Sequence, residues 1–184
     1  MIKVYRSNEI PPKKTTGVTR IELPNDSTPS LSITLTTVMG IYSFTERVLK
    51  QQYIQLTILE GIGVLHTEVT VQTLIVGTTV LLVPRESIYH IESTTNITFL
   101  EVNSDDKKPE SEIKDFKERF PESGFKSYNH ETAVIALEGE VFIFGENEWY
   151  EILNEWDIVV IPPNTPYYLL SSDSRMVKVQ IVQC

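Results

Sequence analysis

The sequence predicts an all-β protein made of two similar modules, and three observations carry that prediction. Apolar residues recur at every second position or in short β-branched runs, which is the pattern of strands with a buried face. Glycine and proline interrupt these runs at short spacings, as in antiparallel sandwiches and barrels. The chain also matches itself at an offset of 78 residues, from Gly61 to Gly139, and such a repeat indicates two copies of one structural unit.

Four segments give the clearest strand signals. Residues 32–38 alternate polar and apolar side chains, and residues 54–59 do the same shortly before a glycine. Residues 79–83 and 158–161 are apolar runs, each followed by a proline that ends the strand. All four are short, as the strands of a sandwich or barrel are.

The internal repeat is the most informative feature of the sequence. Three anchors keep one register without a gap. They are Leu59-Glu60-Gly61 with Leu137-Glu138-Gly139, Val83-Pro84 with Ile161-Pro162, and Tyr89 with Tyr167. Ordered anchors across about thirty positions are much stronger evidence than one shared tripeptide, so two related β modules are expected.

The repeat, and the composition between its copies, set the expected domain boundaries. Residues 103–112 are polar and charged, which is typical of a linker. Ile113, Phe116 and Phe120 follow at helical spacing, so one or two helical turns are expected before Pro121. The expected organisation is an N-terminal arm (1–16), a first barrel (17–102), a charged linker with a short helix (103–120) and a second barrel (121–184).

Composition and charge exclude several classes of protein. The chain has 25 acidic and 16 basic side chains and a net charge of −9, and its basic residues form no stripe, which argues against nucleic acid binding. The single cysteine, Cys184, excludes an internal disulfide framework and a cysteine-built metal cluster. No segment has the length and apolar character of a membrane helix or a secretion signal, so a cytoplasmic protein is expected.

Two stretches of the second module carry a family resemblance. Residues 137–141 read Leu-Glu-Gly-Glu-Val, and residues 156–166 read Trp-Asp-Ile-Val-Val-Ile-Pro-Pro-Asn-Thr-Pro. Together they resemble the two signature stretches of the cupin superfamily, and residues 59–64 and 79–84 repeat them in the first module. The resemblance implies two tandem cupin-type double-stranded β-helix barrels, jelly-roll-like in form, that is, a bicupin with degenerate motifs.

The resemblance also implies where a metal ion would be held. Metal-bearing cupins supply His-x-His and a glutamate from the first stretch and a further histidine from the second. Here Thr132 and Ile54 stand at the glutamate positions, and Tyr89 and Tyr167 stand at the second-stretch histidine positions. The resemblance therefore implies a protein without the usual metal ion, and no other cofactor is expected.

The candidate site lies in the second module. Tyr128, His130 and Thr132 alternate, so on a regular strand they would face the barrel interior together with Tyr167. His130 could then act as a base with Tyr128 or Tyr167 as the acid, and Trp149 offers an aromatic wall near the same mouth. We expect Tyr128, His130, Thr132, Trp149 and Tyr167 to bind ligand. The alternative is a hydrogen-bonded core cluster with no turnover.

Three functions from different classes stay open at this stage. The first is a metal-independent binding or structural module whose small-molecule ligand is a sugar or a carbohydrate-like compound. The second is a metal-independent sugar isomerase or epimerase that uses His130 with Tyr128 or Tyr167. The third is a metal-dependent oxygenase or isomerase with an unusual ligand set. A homodimer is expected from the sheet faces and edge strands that such barrels leave to be covered.

Overall fold

A computed structural model describes residues 2–23, 31–49, 51–83, 87–105, 107–116, 125–146, 148–172 and 176–183. Within these ranges the regular structure is eighteen β-strands and no helix, which confirms the all-β prediction. The same residues contain no helix that could span a membrane. In chain order the strands are β1 (Lys3–Tyr5), β2 (Lys13–Thr15), β3 (Val18–Glu22), β4 (Leu31–Val38), β5 (Ser43–Val48), β6 (Gln52–Glu60), β7 (Ile62–His66), β8 (Val71–Ile75), β9 (Thr79–Leu82), β10 (Ser87–Glu92), β11 (Ile97–Asp105), β12 (Glu110–Phe116), β13 (Thr132–Glu138), β14 (Val141–Gly145), β15 (Tyr150–Leu153), β16 (Ile158–Ile161), β17 (Tyr167–Ser171) and β18 (Val177–Gln183).

The strands form two compact units. The N-terminal unit is Ile10–Pro109, and the C-terminal unit combines Met1–Glu9 with Glu110–Cys184. The N-terminal unit contains a six-stranded sheet, in the order β2-β3-β4-β11-β6-β9, and a four-stranded sheet, β5-β10-β7-β8. The C-terminal unit contains a five-stranded sheet, β1-β16-β13-β18-β12, and a three-stranded sheet, β15-β14-β17.

Each unit buries one hydrophobic core between its two sheets. In the N-terminal unit, Phe99 of β11 packs with Phe44 of β5, with 5.4 Å between the ring centroids. In the C-terminal unit, Val134 of β13 shares a core with Ile143 of β14. Within the described residues the two sheets of a unit stay separate, so each unit is a jelly-roll-like sandwich of open sheets and not a closed barrel.

The two units share a register as well as a sequence repeat. Gly61 and Gly139 end β6 and β13 with φ values of 79° and 78°, a conformation that a side chain disfavours. Near Gly61 the pairing of β6 with β11 shifts its register, and near Gly139 the pairing of β13 with β18 does the same. Leu56 then lies opposite Glu101, and Val134, 78 residues after Leu56, lies opposite Ile181. Ile181 is therefore the structural counterpart of Glu101.

The predicted linker helix is wrong over the residues that the structure describes. Glu110–Phe116 forms strand β12, which pairs along its whole length with β18, from Glu110 opposite Gln183 to Phe116 opposite Val177. Pairing with an edge of the five-stranded sheet satisfies backbone groups that a short helix would leave exposed. Phe120 and Pro121 lie outside the described residues.

The N-terminal arm is also built into sheets. β1 pairs with β16 in the C-terminal unit, and β2 pairs with β3 in the N-terminal unit. Arg6 follows β1 and forms ion pairs with Glu151 at 2.7 Å and with Asp157 at 3.0 Å. The backbone N–H of Ser7 donates to Asp157 over 2.9 Å. These contacts fix the first residues of the chain against the C-terminal unit to which they belong.

Candidate functional site

Tyr89 and Tyr167 occupy corresponding places in the two units. Tyr89 lies in β10 opposite Glu46 of β5, and its side chain is 1% exposed. Tyr167 begins β17, is 2% exposed, and exchanges two backbone hydrogen bonds with Lys126, at 2.7 and 2.8 Å. Both rings belong to the hydrophobic core of their unit. The surroundings of the two hydroxyl groups distinguish the units.

The Tyr89 hydroxyl lies in a network around a buried carboxylate. Glu101, 1% exposed, accepts hydrogen bonds from Tyr89 Oη at 2.9 Å and from Asn103 Nδ2 at 2.7 Å. It sits on the same face of β11 as the core residue Phe99, two positions earlier. Burial raises the pKa of Glu101, although the hydrogen bond from Asn103 and the charge of Arg20 act against that effect. Burial, and then Glu101, likewise raise the pKa of Tyr89.

Arg20 supplies the positive charge of this network. Its guanidinium donates to Glu46 over 2.8 Å and to Glu101 over 3.5 Å, and it forms an ion pair with Glu22 at 3.7 Å. The same group lies over the Phe44 ring, 5.4 Å from the centroid. The sequence did not predict this cluster, because its residues lie on β3, β5 and β11, which are far apart in the chain, and no recognisable motif links them. One signal was available: Glu101 is a carboxylate at an inward position of an apolar strand.

The Tyr167 hydroxyl lies in a different setting. Its oxygen is buried and has no hydrogen-bond partner among the described residues. The Tyr128 ring is the aromatic neighbour, with 6.3 Å between the centroids, and Ile181 takes the place that Glu101 has in the N-terminal unit. Burial, followed by the neighbouring Tyr128 phenol and Glu112, raises the pKa of Tyr167 well above its ordinary value. The Tyr128 side chain contributes to this shift as a hydrogen-bonding neighbour but lies outside hydrogen-bond geometry, so Tyr167 is a protonated phenol at neutral pH whose donor makes no well-formed hydrogen bond with the described residues.

Charged side chains stand next to this tyrosine pair. Lys114 and Glu112, two positions apart on β12, form an ion pair. Burial lowers the pKa of Lys114, but the hydrogen bond that Lys114 donates to Glu112, together with the Tyr128 side chain, outweighs burial, so the net direction is upward. Lys126 is bridged to Tyr167 through two backbone hydrogen bonds. Two lysines, one glutamate and two tyrosines therefore lie in this part of the C-terminal unit.

The structure places four of the five predicted site residues in or beside the interior of the C-terminal unit. Tyr128 and Trp149 are half-buried and pack on the core that contains Tyr167. Thr132, 1% exposed, begins β13, and its hydroxyl donates to the backbone oxygen of His130 over 3.3 Å. In these four positions aromatic or hydroxyl-bearing side chains lie in or beside the interior of the C-terminal unit.

His130 is the exception, and the prediction that it faces the interior is wrong. It lies in an exposed bend, because the strand begins only at Thr132. The chain before that point is turned by other contacts, since the backbone oxygen of Tyr128 accepts a hydrogen bond from Asn164 N at 2.7 Å. Alternation along a strand therefore does not extend back to His130.

The donors do not fit the metal centre that the family resemblance implies. At the two positions where metal-bearing cupins have the histidine of the second stretch, this chain has the buried tyrosines Tyr89 and Tyr167. At the glutamate position of the second module it has Thr132, which is also buried. His90 faces away from Tyr89 and contacts Thr45 at 2.7 Å and Glu92 at 3.0 Å. No group of three or more His, Cys, Asp or Glu in the described part of the chain could hold a metal ion.

Solved structures with the same fold provide an independent comparison. A cupin 2 conserved barrel domain protein from Leptotrichia buccalis is 16% identical with a TM-score of 0.66, over 98% of this chain and 95% of that one. Protein Ylba from E. coli is 10% identical with a TM-score of 0.78, and the alignment covers 100% of this chain and 90% of that one. Lactobacillus farciminis oxalate decarboxylase, a formate complex, is 9% identical with a TM-score of 0.82, over 98% and 85%.

No protein-family model matches the sequence, and no curated protein matches it either. Identities of this size between nearly full-length alignments show a shared fold and leave activity to be argued from the residues.

Proposed function

We propose that this chain, whose fold is that of the cupin superfamily, binds a small hydroxylated molecule in the interior of its C-terminal unit without a metal ion. The ligand class is a sugar or a carbohydrate-like compound. One observation carries the proposal: the Tyr167 hydroxyl is buried beside Tyr128 and has no partner among the described residues. A buried donor without a partner costs about 1–3 kcal/mol, and a ligand oxygen that accepts from it recovers that free energy.

The aromatic side chains around this hydroxyl suit a sugar. Tyr128 and Trp149 are half-buried, so each offers part of an apolar ring face while packing on the core. Sugar rings present apolar C–H faces and polar edges, and aromatic rings with a polar tip complement both. The oxalate decarboxylase of similar fold holds formate, so a small polar ligand is compatible with this architecture.

The interior around Tyr89 in the N-terminal unit is assigned a structural role. Its tyrosine already donates to Glu101, and Glu101 is in turn hydrogen-bonded by Asn103 and paired with Arg20. A network that satisfies its own central carboxylate fixes a core and has less to gain from a ligand than an unpaired donor has. The first sequence hypothesis named a binding or a structural module. In this proposal the C-terminal unit binds the ligand, and the Tyr89 network of the N-terminal unit is structural.

Binding is favoured over sugar isomerisation. The isomerase hypothesis requires His130 as the base next to Tyr128 or Tyr167, but His130 is exposed in a bend. The raised pKa values of Tyr167 and Lys114 keep both groups protonated near neutral pH, so they supply donors and not a base. Homodimer formation and a cytoplasmic location stay predictions.

Calorimetric titration with a panel of monosaccharides, sugar acids and polyols tests the proposal. We expect at least one compound to bind, and we expect Tyr167→Phe to weaken that binding about tenfold or more, because it deletes only the hydroxyl. Tyr89→Phe is the matched control and keeps the affinity. Binding that survives Tyr167→Phe unchanged, or a panel with no ligand, would contradict the proposal.

A further inference from the structure

We infer that the N-terminal unit binds a small organic amine in a cleft on the outer face of its four-stranded sheet, with the Glu92 carboxylate as the counter-ion of the ammonium group. The cleft has a volume of about 740 Å³ and is open to solvent. This volume suits a small molecule, since ligand sites commonly enclose about 300–1,000 Å³, and it is far larger than a single ion needs. The inference is independent of the proposed sugar site, which lies in the other unit.

The floor of this outer cleft is one row of side chains across the sheet. Ser43 of β5 lies opposite Glu92 of β10, which lies opposite Val64 of β7. Val64 in turn lies opposite Thr73 of β8, and all four residues line the cleft. Ile91, next to Glu92, belongs to the buried core, so Glu92 and its row face outwards. The outer cleft is therefore separate from the core of the unit.

The walls of the outer cleft are apolar and held in place. Ile62 of β7 and Ile41, in the turn before β5, line it with side chains that are 60% and 88% exposed. Tyr42 lines it too, and its ring covers Gly17, where a Cβ would lie only 2.0 Å from the ring. The backbone N–H of Tyr42 donates to the backbone oxygen of Met39 over 2.9 Å. An apolar ligand body gains free energy by covering such surface, and an aromatic wall attracts an organic cation.

A histidine on the same strand orients the Glu92 carboxylate. Nε2 of His90 lies 3.0 Å from Glu92 Oε1, and Nδ1 of His90 lies 2.7 Å from the Thr45 hydroxyl. A neutral imidazole satisfies both contacts, with the Thr45 hydroxyl as donor to Nδ1 and the Nε2–H as donor to Glu92. The other oxygen, Oε2, lies 3.6 Å from His66 Nε2, which is longer than a hydrogen bond. Because the Glu92 side chain keeps 60% of its surface exposed, a ligand ammonium group can reach it.

The charge of the lining selects an amine. Of the described residues that line the outer cleft, Glu92 is the one with a formal charge. An ammonium group donates charge-assisted hydrogen bonds to a carboxylate, and the Ser43 hydroxyl, opposite Glu92, can accept a further proton of the same group. A ligand carboxylate would instead face the negative charge of Glu92. The lining therefore fits an amine with an apolar body.

Three compounds that share one apolar body test the inference, namely 2-phenylethylamine, 2-phenylethanol and phenylacetate. Calorimetric titration of the full chain is run near pH 8, where amines are charged and imidazoles are in general neutral. We expect the amine to bind about fivefold more tightly than the alcohol, because the carboxylate is partly exposed, and we expect phenylacetate to bind most weakly. Added salt should lower the affinity for the amine and leave that for the alcohol largely unchanged.

Two pairs of variants locate the binding. Glu92→Gln should remove the preference for the amine, whereas Glu68→Gln, at an exposed position between β7 and β8 outside the cleft, should keep it. Ile62→Ser should weaken the binding of amine and alcohol alike, and Ile88→Ser, at an exposed position of β10 outside the cleft, should weaken neither. If Glu92→Gln fails to fold, the isoleucine pair still tests the cleft.

The outcomes separate this inference from the proposed function. Equal binding of amine and alcohol, or an amine preference that survives Glu92→Gln, would overturn the role of Glu92, and tightest binding of phenylacetate would overturn the choice of a cation. Failure of all three compounds to bind would overturn the site itself. Tyr167→Phe, which tests the sugar site, should leave amine binding unchanged, and a loss there would place the amine in the C-terminal unit and contradict the inference.

Discussion

The hydroxyl group of Tyr89 donates a hydrogen bond to the buried carboxylate of Glu101 over 2.9 Å. In the C-terminal unit Ile181 takes the place of Glu101 in the sheet register, and the hydroxyl of Tyr167 has no partner of hydrogen-bond geometry among the described residues. The same fold thus places one tyrosine in a completed network and leaves the donor of the other without a well-formed hydrogen bond. The difference separates a residue that stabilises the fold from a residue that can recognise a ligand.

Tyr89→Phe should destabilise the protein by about 1–3 kcal/mol, because it removes a donor from a carboxylate that stays buried. Urea denaturation, followed by circular dichroism, measures the change in the free energy of unfolding. An unchanged midpoint would show that Asn103 and Arg20 satisfy Glu101 without Tyr89.

Tyr167→Phe should leave the free energy of unfolding unchanged or raise it by up to about 1 kcal/mol. The substitution keeps the packed ring and removes a buried donor that has no partner, so it removes a desolvation cost. The same denaturation experiment on ligand-free protein checks this outcome, with Tyr89→Phe as its counterpart. A loss as large as that of Tyr89→Phe would show that the Tyr167 hydroxyl is hydrogen-bonded in solution.

Glu101 should make stability fall as pH rises. Burial raises its pKa in the folded protein, so between the ordinary glutamate value and the raised value the folded state binds more protons than the unfolded state. The contribution of Glu101 to stability is therefore most favourable below the unfolded pKa and declines as pH rises through the folded one. Glu101→Gln should remove this part of the pH dependence.

The measurement is the free energy of unfolding of wild type and Glu101→Gln at several pH values from about 4 to about 8. Glu140→Gln, at an exposed position, is the control and should leave the pH profile parallel to that of the wild type. Parallel profiles for Glu101→Gln would show that Glu101 has no raised pKa in solution.

Arg20→Met should cost about 2–3 kcal/mol near pH 7, since it leaves Glu22, Glu46 and Glu101 without their common cation. This figure is below that for fully buried pairs because the Arg20 side chain is 24% exposed. The loss should shrink in acid, where the carboxylates are neutral, and the double variant with Glu101→Gln should lose less than the sum of its parts. A loss that is additive and independent of pH would place the role of Arg20 in packing against Phe44.

Local patterns account for what the sequence predicted correctly about the fold. Alternating and β-branched runs form strands, and in each unit the Leu-Glu-Gly segment ends a strand with a glycine at positive φ. The failure at Ile113 and Phe116 has a physical cause, because a spacing of three residues fits a helix while pairing with β18, distant in sequence, stabilises a strand. Secondary structure at that point is decided by tertiary contacts.

The candidate site was predictable only in part, for a related reason. Tyr167 was found in the interior because a family motif marks its position, and Tyr128 and Trp149 lie near it. His130 was misplaced because a strand was assumed to begin before Thr132. Arg20 and Glu101 are 81 positions apart, so no local spacing could have joined them.

Gly61→Ala and Gly77→Ala test how the repeated turn is specified. Both glycines have positive φ, 79° and 84°, so alanine costs about 1 kcal/mol of backbone strain at either one. At Gly77 a Cβ would meet nothing within 4 Å, whereas at Gly61 it would lie 2.1 Å from the backbone oxygen of Asn96. Gly61→Ala must therefore also displace backbone, and we expect it to lower the free energy of unfolding by at least about 2 kcal/mol more than Gly77→Ala does. Urea denaturation of the two variants measures that difference, and equal losses would show that the turn after β6 depends on backbone conformation alone and not on its close approach to Asn96.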